Sequence, residues 1–157
     1  GDLWSEAMQL PHQDLPMHLL YQRSGVFQED HLPVPDASWR STIATDFNGD
    51  GVLDLLLTRA AASPALLLST GCTSNTWIEI EGAPGSKVQL QTDQGTWTGW
   101  IQTDSSYSSA RPPILHLGLG QSHEIQSLNV YLPGGEFLSS SLNFAPNRRL
   151  KIQPSAR

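Results

Sequence analysis

Between Asp46 and Asp54 the chain reads Asp46-Phe47-Asn48-Gly49-Asp50-Gly51-Val52-Leu53-Asp54, an order of residues that points to one chemistry. Oxygen-bearing side chains fall at loop positions 1, 3, 5 and 9, a glycine falls at 6 and the Val52 carbonyl at 7. This is how a short loop wraps Ca2+ with hard oxygens at roughly 2.3–2.6 Å. Gly51 permits the sharp turn that a Cβ would hinder. An EF-hand would carry a bidentate Glu at position 12, but that position is Leu57, and the apolar run from Val52 reads as a buried strand rather than a helix. The predicted metal ligands are therefore Asp46, Asn48, Asp50 and Asp54 through their side chains and Val52 through its carbonyl, with the ion capping a β element. A metal-free turn uses the same residue types. Three carboxylates converging on one turn, however, repel one another unless a cation sits among them. A loop that fills the coordination sphere from its own oxygens leaves little room for metal-ion catalysis, so the ion is expected to be structural.

Other residue types with chemical potential are scattered. His12, His18 and His31 lie in sequence that reads as irregular and N-terminal, and His116 and His123 flank a glycine turn. None has the helical spacing of paired metal ligands and no cysteine clusters with them. Neither a G-x-S-x-G elbow nor a phosphate-cradling glycine loop is present, and Glu79 and Glu81, two apart on one strand, read as a solvated stripe. The chain is not expected to be an enzyme. Trp97, Trp100 and Tyr107 accompany a Ser/Thr-rich strand and loop, an arrangement suited to holding a sugar, so a carbohydrate-binding module is the alternative reading. Aromatic residues in strands also form core and cross-strand pairs. Trp97 and Trp100, three apart, lean to opposite faces, which makes at least one a core residue.

The elements that must position these groups are β-strands. The chain has 157 residues with 13 glycines, 11 prolines and only 15% charged residues, and no long segment shows apolar residues at helical spacing. Lysine occurs only at Lys87 and Lys151, and the net charge of -6 opposes a phosphate backbone, which excludes nucleic acid as a partner. No apolar run reaches the ~20 residues of a membrane-spanning helix. The single Cys72 forms no internal disulfide and reads as a lone buried thiol. Residues 1–18 read as an irregular apolar arm. A short hairpin follows around Arg23-Ser24-Gly25, then a strand at Ser41–Thr45 entering the loop, the strand that leaves it, and a strand from Ala65 to Leu68. A polar break at 71–75 separates this part from a region of cleaner period-two alternation. Strands are expected there at Trp77–Glu81, Lys87–Gln91, Thr96–Thr103, Ile114–Leu119, Ile125–Leu132, Phe137–Leu142 and Arg149–Ile152. Short strands at this spacing suggest a small antiparallel sandwich or barrel.

The loop and its flanking strands, from Leu20-Tyr21 to Leu68, resemble an FG-GAP or VCBS-type repeat, the blade unit of integrin-like β-propellers. Trp77-Ile-Glu-Ile-Glu-Gly82, His116-Leu-Gly-Leu-Gly120 and Leu128-Asn-Val-Tyr-Leu-Pro133-Gly-Gly135 resemble the UnbV/ASPIC domain. The chain departs from that pattern in a shortened Ala83–Lys87 segment and in Thr103–Ala110, which keeps a tyrosine without the glycines. The fold expected is all-β: one FG-GAP-like blade unit over residues 19–75 and a small antiparallel β-sandwich over 76–157. The resemblance implies a non-enzymatic, calcium-stabilised interaction module at an extracellular, periplasmic or cell-surface location, a subunit or fragment of a larger assembly. One blade exposes edges that neighbouring blades would cover, so a protein partner or self-assembly through the N-terminal arm and sheet edges is expected.

Overall fold

A computed structural model describes residues 17–60, 62–70, 74–106, 109–141 and 143–153. The predicted N-terminal arm, apart from its last two residues, lies outside this range, as do Cys72 and Tyr107. Among the described residues the protein is all-β, with several small sheets and no closed barrel.

The chain opens with a hairpin, β1 (His18–Arg23) and β2 (Val26–His31), joined by Ser24 and Gly25. Both turn residues have positive φ, 52° and 81°, the condition for a tight turn whose twist matches that of the strands. All twelve strand positions are exposed, so the hairpin projects from the body. His18 and Glu29 hydrogen-bond across it, and the His18 and His31 rings lie 5.3 Å apart. Met17, Leu32 and Val34 at its base pack on a small core of Ala37, Trp39 and Leu57.

That small core is sealed by a three-stranded antiparallel sheet in sequence order, β3 (Trp39–Thr45), β4 (Asp54–Arg59) and β5 (Ala65–Leu67). The Asp-rich loop joins β3 to β4. β4 begins at Asp54, two residues beyond the apolar run's start, because Val52 and Leu53 still belong to the loop.

The rest is a two-sheet sandwich. It comprises β6 (Thr76–Glu81), β7 (Lys87–Thr92), β8 (Gly95–Trp100), the short pair β9 (Asp104–Ser106) and β10 (Ser109–Ala110), β11 (Ile114–Gly120), β12 (Ile125–Tyr131), β13 (Phe137–Ser140) and β14 (Arg148–Lys151). One sheet has the order β13-β12-β7-β8 and the other β11-β6-β14. Their facing sides supply Ile78, Ile80, Val88, Leu90, Leu119, Ile125 and Val130, each at most 1% exposed. Burial of such a side chain stabilises the fold by about 1.5–3 kcal/mol, so this core, not the smaller one, dominates the hydrophobic term.

Two expectations are corrected and one, the small antiparallel sandwich, is met with a single parallel pairing among the described residues. The strand expected over Thr96–Thr103 ends at Trp100, because Ile101 turns into the core with no exposed surface and exchanges backbone hydrogen bonds with Gly85 and Ser86 (2.7 and 2.9 Å). The sandwich is not wholly antiparallel, since β14 runs parallel to β6, with Leu150 opposite Ile80. Glu79 is not part of a solvated stripe: it is 1% exposed. β6 is the central strand of its sheet, and Glu79 faces a small cavity that it lines together with Ala44, Thr45 and Leu53 of the N-terminal unit and with Arg111, Pro112, Ile114, Leu115 and His116.

Candidate functional site

The loop is organised by Asp46, which is 7% exposed at the end of β3. Its Oδ1 accepts hydrogen bonds from the backbone N–H groups of Gly49 (2.7 Å) and Asp50 (3.2 Å), and its Oδ2 accepts from Gly51 (2.8 Å). Folding the backbone around one carboxylate requires left-handed turns, and Gly49 and Gly51 have φ of 77° and 87°. Asp54, with no exposed surface, braces the far side. Its Oδ2 accepts from Phe47 N–H and its Oδ1 from Ser69 N–H, both at 2.8 Å, which ties the start of the loop to the chain leaving β5. Asn48 and Asp50 are exposed and bonded to each other, Asn48 Nδ2 donating to Asp50 Oδ2 at 2.8 Å, while Asp50 Oδ1 accepts from Val52 N–H at 2.8 Å.

The structure thus brings all five predicted ligand residues into one turn. Among the described residues, however, no group of three or more His, Cys, Asp or Glu side chains is drawn together at metal-holding spacing. The carboxylates are instead held by backbone dipoles, and among the described residues no ion pair reaches them. Most of these oxygens accept a single hydrogen bond and retain a lone pair, so the donor set remains all-oxygen and hard, the type that suits Ca2+. Closure on an ion would require the exposed Asn48 and Asp50 side chains to exchange their mutual bond for the cation.

A second constellation adjoins the loop. The indole of Trp77, at the start of β6, lies directly against Gly51: a Cβ there would fall 1.8 Å from the Trp77 Nε1. The ring stacks with His116 of β11 at 6.0 Å between centroids and 10° between planes. Behind it Glu79 receives Arg149 Nε at 2.7 Å and Nη2 at 2.6 Å, with His116 Nδ1 at 3.5 Å from its other oxygen. A carboxylate in this position needs such partners, because an unpaired buried charge is strongly destabilising. An open cleft of about 730 Å³ runs over Asp50, Gly51, Trp77 and His116 to Asn75 and Asn147. No local signal announces this meeting: Trp77 and Glu79 stand in an ordinary strand pattern, and only the packing of the two units makes them neighbours of the loop.

Of the proposed sugar-binding aromatics, the structure separates two and leaves the third, Tyr107, outside the described residues. Trp97 packs inward on the sandwich core, as one of a pair three residues apart must, and Trp100 is 51% exposed on the outer face. There it stands in a cross-strand row with Lys87, Tyr131 and Phe137. The register that aligns these four residues is set by strand pairing and cannot be read from spacing alone. His123 donates its backbone N–H to the Asp93 carboxylate, at 3.2 and 3.3 Å from its two oxygens.

Residues 81–157 match the family model described as ASPIC and UnbV. Over 119 residues the chain is 32% identical to cartilage acidic protein 1 of Mus musculus and to that of Xenopus tropicalis, and 30% identical to that of Homo sapiens. Each alignment covers 69% of this chain and 18% of the relative. The chain therefore spans less than a fifth of the length of these relatives.

Proposed function

We propose that this chain is a non-enzymatic association module, stabilised by calcium at the Asp46–Asp54 loop and working outside the cytoplasm, where calcium is abundant, as part of a larger assembly. The supporting observation is the loop itself. Asp46, Asp50 and Asp54 share one turn, their hydrogen-bond partners among the described residues are neutral amides, and the two glycines hold the backbone in the left-handed conformations that wrapping an ion demands. A bound divalent cation would supply the positive charge that these carboxylates lack, with Asp46, Asn48, Asp50 and Asp54 offering side-chain oxygens and Val52 its carbonyl. The exposed hairpin β1–β2 and the free edges of short sheets are the surfaces through which such a module would meet a protein partner or another copy.

The test is thermal melting in chelator, calcium and magnesium, for the wild type and for Asp50→Ala. Calcium at a hundredfold excess over Kd should add about 2.7 kcal/mol of stability, magnesium much less, and Asp50→Ala should abolish the calcium-dependent shift. Identical wild-type melting in all three conditions would reduce the loop to a metal-free turn.

A further inference from the structure

The outer face of the four-stranded sheet is unlike the rest of this acidic surface. Its strands alternate so that Val88, Leu90, Leu128 and Val130 point into the core, while the intervening residues point to solvent. The register then places Phe137 opposite Tyr131, Tyr131 opposite Lys87 and Lys87 opposite Trp100, in one line across all four strands. Phe137, Tyr131 and Trp100 are 52%, 41% and 51% exposed. The Tyr131 and Phe137 rings are 4.9 Å apart, and the Lys87 ammonium sits between two rings, 5.9 Å from the Trp100 centroid and 5.8 Å from that of Tyr131.

The rungs behind this row carry amides and hydroxyls. Ser139, Asn129, Gln89 and Thr98 form the next one, and no acidic side chain stands in either rung. These polar groups are pre-oriented, with Tyr131 Oη donating to Gln89 Oε1 at 3.1 Å and Ser139 Oγ to Asn129 Oδ1 at 2.7 Å. In a chain with 15 acidic residues and two lysines, a face that has one lysine and excludes carboxylates has a sign of its own.

We propose that this face binds an oligosaccharide bearing carboxylates, with pyranose faces stacked on Trp100 and Tyr131, a uronate at Lys87, and ring hydroxyls on Gln89 and Asn129. Aromatic rings offer flat apolar platforms to the C–H faces of sugars, and amides beside them accept and donate in the plane of the hydroxyls. Trp100 and Tyr131 lie two strands apart, about 9.5 Å, which matches alternate rings of an extended chain and leaves the intermediate ring over Lys87. The charge pattern favours an acidic saccharide over a neutral one, because a neutral ligand gives no reason to clear the face of carboxylates. The proposal rests on the reading of the chain as an association module and is independent of the calcium loop.

The experiment is calorimetric titration of the full chain with a β-linked mannuronate hexasaccharide and with the neutral mannohexaose, which differ in carboxylate against hydroxymethyl. Each titration is run in calcium and in chelator. The acidic sugar should bind in both solutions. Trp100→Ala and Tyr131→Ala, both surface changes whose melting points should match the wild type, should each weaken it about tenfold or more, as loss of a stacked ring does. Lys87→Gln should erase the preference for the acidic chain. Absence of binding, unchanged binding by Trp100→Ala, or equal binding of the neutral sugar by the wild type would overturn the proposal. Binding that persists in chelator would uphold it even if calcium failed to shift the melting point.

Discussion

Replacing Gly51 with alanine tests whether the Asp-rich loop and the sandwich are mechanically one body. Two costs are expected. At φ of 87° an L-residue is strained by about 1–2 kcal/mol. The new methyl would also fall 1.8 Å from Trp77 Nε1 and 2.2 Å from Cε2, so the indole must move away from His116, at the ~1–3 kcal/mol typical of overpacking. Gly51→Ala alone should therefore cost about 2–5 kcal/mol. In a Trp77→Ala background the clash vanishes and only the strain remains, so the cost should fall to about 1–2 kcal/mol. Gly49 is the internal control: its φ is 77° but no atom lies within 4 Å of its would-be Cβ, so Gly49→Ala should cost the strain alone in either background. The assay is urea denaturation followed by far-ultraviolet circular dichroism, which does not depend on the removed tryptophan. Equal costs of Gly51→Ala in both backgrounds, within about 0.5 kcal/mol, would refute the docking of Trp77 on the loop.

Arg149→Met should leave the Glu79 carboxylate, whose side chain is 2% exposed, without its guanidinium partner and with the His116 ring 3.5 Å away. The loss should be about 2–3 kcal/mol in chemical denaturation, below the ~3–5 kcal/mol of a fully enclosed pair because the guanidinium is 45% exposed; Arg149→Met combined with Glu79→Gln should recover part of it. Asp93 should shape the acid limb of the stability profile. Desolvation pushes its carboxyl up, but the backbone N–H groups of His123 and Glu124 and the Gln94 side chain outweigh this and hold it below the usual carboxylate range. A depressed carboxyl stabilises the fold above its unfolded pKa and loses that contribution as pH falls through the folded value. Melting curves from neutral to acid pH should accordingly fall less steeply for Asp93→Asn than for the wild type.

Much of the local structure was legible because short-range chemistry determines it. The Asp/Asn/Gly order announces a wrapped loop, Ser24-Gly25 announces a tight hairpin, and period-two alternation marks β7 as a strand. What failed or was missed depends on partners far along the chain. Glu79 alternates with Ile78 and Ile80 and so reads as a surface residue, yet a second unit helps to line the cavity it faces and Arg149, 70 positions away, neutralises it. The aromatic row was half visible. Trp100 was marked, but Lys87, Tyr131 and Phe137 join it only through a register fixed by three strand pairings. The parallel placement of β14 has no signature in Arg148–Lys151 itself, whose pattern suits either direction.

That parallel placement governs the order in which the sandwich can be completed. β6 forms early in the chain, but its partner edge is filled only by β14, with Asn147 closing the corner by donating its N–H to the Trp77 carbonyl (2.7 Å) while its Oδ1 accepts from the Trp77 N–H (3.0 Å). Until residues 147–151 have left the ribosome, the strand that ends up central in its sheet carries an open row of backbone donors and acceptors. Contacts of such long sequence separation form slowly, and an unpaired strand edge is open to capture by other chains in the meantime. A nascent chain stalled just short of Asn147 should therefore be trapped by chaperones or aggregate, whereas one released beyond Lys151 should fold; the Asn147 turn and β14 act as the latch on a sheet whose other members are already in place.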